Sequence, residues 1–181
     1  DNSVGKSTLA KLLLWTFGCE PDFDSTWKST DCKCLVDFSI DGTNYKILRY
    51  QNFISLKEEN QEILKYTNIG GDYSKKFAEL VDFKVLLPKR GSNETELITP
   101  PPAYYFLPFY MDQKNSWSKT WNSFGKLGQF DSWQKTVIKY HLGYLSPKHF
   151  ELEQDLSDNK RQINELNQEV EKIGYALDVV K

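Results

Sequence analysis

No stretch of eighteen uncharged apolar residues occurs anywhere in this sequence, so it offers no transmembrane helix. Its first residues also lack the basic, then apolar, then small-residue order of a signal peptide. Cysteine is sparse and odd in number, with Cys19, Cys32 and Cys34, which argues against a secreted disulfide framework and for a reducing compartment. Cys32-x-Cys34 could belong to a metal site, but no second ligand pair at zinc spacing follows it, and His141 and His149 are the only histidines. The other reading is a pair of thiols entering a strand. Neither sign of charge dominates, and a formal net charge of -2 excludes a globally basic nucleic-acid binder. What is present, 39% hydrophobic and 14% aromatic residues in 181, is enough for a real core and excludes disorder as the main state. A soluble, cytoplasmic protein with no membrane partner is the expectation.

The charge is unevenly placed. Lys114, Lys119, Lys126, Lys135, Lys139 and Lys148 face a single acid, Asp131, so that residues 114–148 carry net +5, while residues 149–181 carry net -4. The basic block also holds Trp117, Trp121, Phe124, Phe130, Trp133, Tyr140 and Tyr144. Lysines beside exposed aromatics would suit DNA, by phosphate neutralisation and base stacking. The alternative places the aromatics in the core and the lysines on a solvated face.

The chain opens on Asp1-Asn2-Ser3-Val4-Gly5-Lys6-Ser7-Thr8, which carries the G-K-[ST] end of a phosphate-binding loop. A loop that wraps a triphosphate turns its backbone N–H groups inward, and Gly5 permits that approach without a side chain in the way. Lys6 would reach the β- and γ-phosphates of ATP, and the Ser7 hydroxyl would ligate Mg²⁺. Ser7 to Phe17 follows as strong helix formers, apolar nearly all round, with Gly18 at a helix-stop position, which predicts a buried helix aiming its N-terminus at the phosphates.

Further on, Cys34, Val36, Phe38 and Ile40 alternate, Asp41-Gly42 makes a turn, and Tyr45 to Tyr50 alternates again, which predicts a β-hairpin that Gln51 to Leu56 extends. Helices are expected over Glu58 to Tyr66, weakly, over Ser74 to Leu80, and over Ser132 to Leu142 before Gly143. Pro88 to Pro102 reads as a surface loop closing, at its three prolines, on a rigid extended segment. The apolar run Tyr104 to Met111 reads as a buried strand with Pro108 at an edge or bulge, ended by Asp112-Gln113.

Ser146-Pro147 starts the last element with an N-cap serine and a proline at the first helical position, and Leu145 and Phe150 are spaced as a hydrophobic staple. Leu152, Leu156, Asn159, Ile163, Leu166, Val170, Ile173, Leu177 and Val180 then recur in 4,3 alternation, the seam of a coiled coil with one polar position. An amphipathic helix on a globular core is the competing reading, and Gly174 weakens the coil.

This order, a P-loop and its helix, a hairpin, a second strand closing on glutamine and an outgoing coiled coil, resembles the N-terminal half of the ATPase head in the Rad50/SMC branch of the ABC ATPases. The N-S-V-G-K-S-T loop together with Y-Y-F-L-P-F-Y-M-D-Q is most similar to the SMC-like ATPases of bacterial anti-phage defence operons such as Lamassu-type systems. The resemblance implies an α/β fold: the N-terminal lobe of a P-loop head over residues 1–145, then the start of an antiparallel coiled coil over residues 146–181. It implies that Asp1 to Thr8 bind ATP, that Ser7 and Gln113 serve Mg²⁺, and that Gln113 contacts the attacking water. Asn2 fits the family's loop, whereas Ser3-Val4 departs from its usual Gly-x. Tyr45-x-Ile47-x-Arg49 matches the second hairpin strand. The implied partners are a second head joined through nucleotide, DNA or DNA ends, and a nuclease or effector subunit.

The sequence contains no L-S-G-G-like signature and no hydrophobic strand ending in Asp-Glu, which hydrolysis in such a head needs. The expectation is therefore half a head that alone binds nucleotide poorly and hydrolyses almost none. Two other readings stay open. One is a self-contained P-loop NTPase or kinase with Phe109 to Asp112 as the magnesium-binding strand, or more weakly Leu35 to Asp37. Against it stand the coil, the early hairpin and a supply of only three arginines, Arg49, Arg90 and Arg161. The other is a nucleotide-gated coiled-coil scaffold without hydrolysis.

Overall fold

The computed structural model describes residues 5–91, 96–113 and 121–180; Asp1, Asn2, Ser3 and Val4, and Lys114, Trp117 and Lys119 of the basic block, lie outside them. Helix α1 (Lys6–Thr16) leads into a meander of strands β1 (Lys33–Ile40), β2 (Thr43–Tyr50), β3 (Phe53–Glu58) and β4 (Leu64–Tyr66), paired in that order and antiparallel throughout. The expected hairpin forms with Phe38 opposite Tyr45 and Val36 opposite Ile47. Its two-residue turn is possible because Asp41 and Gly42 both take positive φ, 49° and 82°, the backbone of a type I′ turn. The weak helix over Glu58 to Tyr66 does not form. Its Leu64 and Tyr66 instead pair with Leu56 and Ile54 of β3, an edge strand that needs no buried helical stripe.

One face of this sheet is apolar. Tyr45, Ile47, Ile54 and Leu56 pack with Tyr73 and Phe77 of α2 (Asp72–Leu80), and with Phe17 at the end of α1. Gly18 ends α1 in a Schellman arrangement: its N–H donates to the Trp15 carbonyl at 2.9 Å and the Cys19 N–H to that of Leu14 at 3.0 Å. Its φ of 97° favours glycine, and a Cβ there would stand 2.9 Å from the Tyr73 ring.

Arg49 joins α1 to the sheet. Its guanidinium, only 2% exposed, donates to the Trp15 carbonyl, to the Cys19 carbonyl at 3.0 Å and to the Gln51 carbonyl at 2.8 Å, and pairs with Glu20 at 2.7 Å. It also lies 4.3 Å over the Trp15 ring. Burial pulls its pKa down, and the Glu20 carboxylate opposes that shift.

The second core cluster joins Leu14 and Cys19 to Phe83, Val85, Leu87, Tyr104, Leu107, Phe124, Phe130, Trp133 and Val137. The flanks of the expected 88–102 loop form a short ladder, β5 (Leu87–Pro88) with β6 (Leu97–Ile98). The expected strand over Tyr104 to Met111 is absent. Prolines at 100–102 start a helical turn, α3 (Ala103–Phe106), in which the Tyr104 N–H reaches the Pro101 carbonyl at 3.1 Å and the Tyr105 N–H that of Pro102 at 3.0 Å. Burial then follows helical spacing: Tyr104 and Leu107 are inside, while Phe109 is 68% exposed.

Helix α4 (Trp133–His141) ends at Gly143 as expected, and α5 (Pro147–Val180) runs for 34 residues, about 50 Å at helical rise. Phe150 is buried at the root of α5, and Leu145 packs against the same cluster. Leu152, Leu156, Ile163, Leu166, Val170 and Ile173 of the heptad seam are exposed. Among the described residues no helix is long and apolar enough to cross a membrane.

Candidate functional site

Of the residues expected to form a phosphate loop, those that the structure describes fall just before and in the first turn of α1. Gly5 precedes it with φ 72° and ψ 11°, left-handed backbone that favours glycine, and a Cβ there would meet nothing within 4 Å. Its carbonyl accepts the first helical bond, from the Leu9 N–H at 2.9 Å. Lys6, Ser7 and Thr8 are exposed, and no carboxylate occupies the first turn. Helix geometry leaves the N–H groups of this turn without intrahelical partners, so donors, dipole and the Lys6 ammonium act together in favour of an anion. The expectation that α1 is buried all round is corrected. Leu14, Trp15 and Thr16 are buried, but Leu9 and Leu13 are 71% and 45% exposed, because only the C-terminal half of the helix packs on the sheet.

Ser7, Lys11 and Leu14 follow helical spacing and share one face of α1, opposite Leu9 and Leu13. On that face the Lys11 ammonium lies 3.0 Å from Oδ1 of Asp112, whose carboxylate is only 2% exposed. Lys11 also donates to the Asp22 carbonyl. The Asp112 backbone N–H donates to Ser123 Oγ at 3.1 Å, and the Tyr110 hydroxyl donates to Asp112 Oδ1 at 3.3 Å. Burial, and then the Asp112 charge, push the Tyr110 phenol up to about 12, so it remains a donor. Tyr110 is held in turn by stacking on Phe124, 5.5 Å between centroids.

The segment that ends in Gln113 is thus tied to the helix that begins at Lys6. Gln113 itself is exposed. The reading in which Phe109 to Asp112 is a magnesium-binding strand meets two obstacles: these residues form no strand, and the Asp112 carboxylate is engaged by Lys11 and Tyr110. Leu35 to Asp37 lies inside β1, with Asp37 paired to Lys46 at 3.2 Å on an exposed face. Sequence reasoning does not single out Lys11; its place one turn after Ser7 is the available signal.

In the basic block Phe124, Phe130 and Trp133 are core residues, which removes them from any stacking surface. Lys126, Lys135 and Lys139 are exposed, and so is Tyr144. Cys32 and Cys34 are half-buried free thiols.

The chain is 28% identical over 145 residues to Lamassu protein LmuB of Bacillus cereus (strain VD014), an alignment covering 80% of this chain and 25% of that protein. The chain therefore spans about a quarter of the length of that relative. No protein-family model matches it, and no solved structure matches it.

Proposed function

We propose that this chain is the N-terminal portion of an ATP-binding and ATP-hydrolysing head of SMC type that works in anti-phage defence of the Lamassu kind. The observation that carries the reading is the attachment of the Asp112-Gln113 segment to the face of α1 that bears Ser7, through the Lys11–Asp112 pair at 3.0 Å. Two elements distant in sequence, the first read as a phosphate loop from its residues and the second given its nucleotide role by the family resemblance, meet on one helix. The similarity to a Lamassu protein supports the defence setting.

The residues present fit the nucleotide and the metal ion. Left-handed Gly5 and the exposed first turn leave the donors of Lys6, Ser7 and Thr8 open to an anion, and the Ser7 hydroxyl is a hard oxygen ligand of the kind Mg²⁺ takes. When bound, Mg²⁺ would neutralise charge that develops on the phosphates during transfer. Lys6 would supply the matching cation from the protein, and Gln113 would orient water by its side-chain amide. The heads would pair through nucleotide, and the exposed seam of α5 would carry the movement along a coiled coil. DNA and an effector or nuclease subunit are the proposed partners.

The test is equilibrium binding of a fluorescent ATP analogue to the full-length protein. Lys6→Ala removes one charge-assisted interaction and is expected to weaken binding by about 10- to 100-fold. Binding at the unmodified level would remove the phosphate-loop assignment.

A further inference from the structure

The roles of Lys6, Ser7 and Gln113 in nucleotide chemistry make no use of the ion pair that joins their two segments. We propose that Lys11 and Asp112 are a positioning couple, which fixes where Gln113 stands relative to the Ser7 face of α1 and so sets the turnover rate and not nucleotide affinity. The proposal rests on the nucleotide reading of Gly5 to Thr8 and Gln113.

The geometry is that of a fixed joint. Lys11 and Asp112 side chains are 16% and 2% exposed, so the pair is largely withdrawn from water. Such a pair adds little net stability, since the loss of hydration offsets the attraction, but its partners cannot drift apart without leaving a buried charge uncompensated. Asp112 is held at both ends: its backbone by Ser123 Oγ at 3.1 Å, and its carboxylate by Lys11 at 3.0 Å and Tyr110 at 3.3 Å. Gln113 is the next residue, so its Cα is about 3.8 Å from an anchored one. On the other side Lys11 stands one turn from Ser7 in a helix whose far end is clamped by Arg49. The ammonium is further steadied by the Asp22 carbonyl. Removing the pair leaves the donors of Gly5 to Thr8 in place and frees the approach of the 110–113 segment.

The experiment is a double-mutant cycle in the full-length protein, reading ATP affinity and kcat separately. Lys11→Met is expected to leave the ATP Kd within about threefold while kcat falls about 10- to 100-fold, the scale of an ångström-sized displacement of a reacting group. Gln113→Ala should lower kcat comparably, and the double variant should be no slower than Gln113→Ala alone, because Lys11 acts only through Gln113. Lys11→Arg keeps the cation and should recover most of the rate. If Lys11→Met does not fold, Asp112→Asn, which retains the Ser123 hydrogen bond, replaces it in the cycle. Wild-type kcat in the Lys11→Met and Asp112→Asn variants, or fully additive losses with Gln113→Ala, overturns the couple. Retained ATP binding in Lys6→Ala instead overturns the nucleotide reading, and a wild-type protein that binds ATP without hydrolysing it overturns the couple together with the hydrolytic role.

Discussion

Replacing Arg49 by methionine tests how α1 is held, and its cost can be worked out group by group. Methionine keeps an apolar stem against Trp15 but removes the guanidinium and its four polar partners. The Gln51 carbonyl belongs to an exposed residue and regains water, and the Trp15 carbonyl keeps its bond from the Gly18 N–H at 2.9 Å. The Cys19 carbonyl, on a residue with no exposure, loses its Arg49 donor, at about 1–3 kcal/mol. Glu20, 29% exposed, loses a charged partner for about 1 kcal/mol, and the guanidinium–Trp15 stacking adds about 0.5–1 kcal/mol. Relief of the desolvation that depresses the Arg49 pKa offsets part of this, so the expected net loss is about 3 kcal/mol. Arg49→Lys retains one cation without the fork and should lose about half as much. Urea titration followed by tryptophan fluorescence reads the difference, with Trp15 as the local reporter. A loss below about 1 kcal/mol for the methionine variant at unchanged m-value would refute the claim that Arg49 clamps the helix.

Charge reversal of Lys126 and Lys135, both exposed, should weaken DNA binding by the full-length protein and reduce its salt slope by about 0.9 for each phosphate no longer neutralised. Unchanged affinity with an unchanged slope would remove these lysines from a DNA site. His141 packs among Phe83, Tyr105 and Phe109, and burial lowers its pKa against the opposing Tyr104 carbonyl. The unfolded chain therefore takes up this proton first as pH falls through the ordinary histidine value of about 6.5, and the fold loses stability from there downward until the folded-state imidazole is protonated too. In urea titrations across that window His141→Phe should show a shallower decline; an identical decline would show that His141 contributes no linkage.

The elements that sequence reveals here are those whose signal is local. Alternation from Cys34 to Tyr50 and the Asp41-Gly42 turn specify the hairpin without reference to anything else, and Gly18 and Gly143 mark where two helices end. The run Tyr104 to Met111 misleads because a short apolar stretch has no decisive period. What settles it is the proline triplet before it, which starts a helical turn and puts Tyr104 and Leu107 on one side. Leu64 to Tyr66 is likewise decided by an open edge on β3 and not by its own residues. For the proposed site, Gly5 to Thr8 can be singled out because the residues of such a pattern are contiguous. The Lys11–Asp112 bond spans about a hundred positions, and no pattern in either segment announces the other. The solvent exposure of Leu9 and Leu13 cannot be read from composition, since an apolar helix says how much it can bury and not what lies beside it.

The root of α5 has a mechanical consequence. A rod about 50 Å long is seated in the body at its first turns, by Phe150, whose ring centroid is 5.8 Å from that of Tyr140, and by the half-buried Gln154, Ser157 and Asp158, while the Tyr140 hydroxyl reaches the Asp82 carbonyl at 2.9 Å. Such a seating is a fulcrum close to one end of a lever. A tilt of a few degrees at Phe150 becomes a sweep of several ångströms at the far tip, and a pull applied at the tip returns to α4 and the turn after α2 with the inverse gain in force.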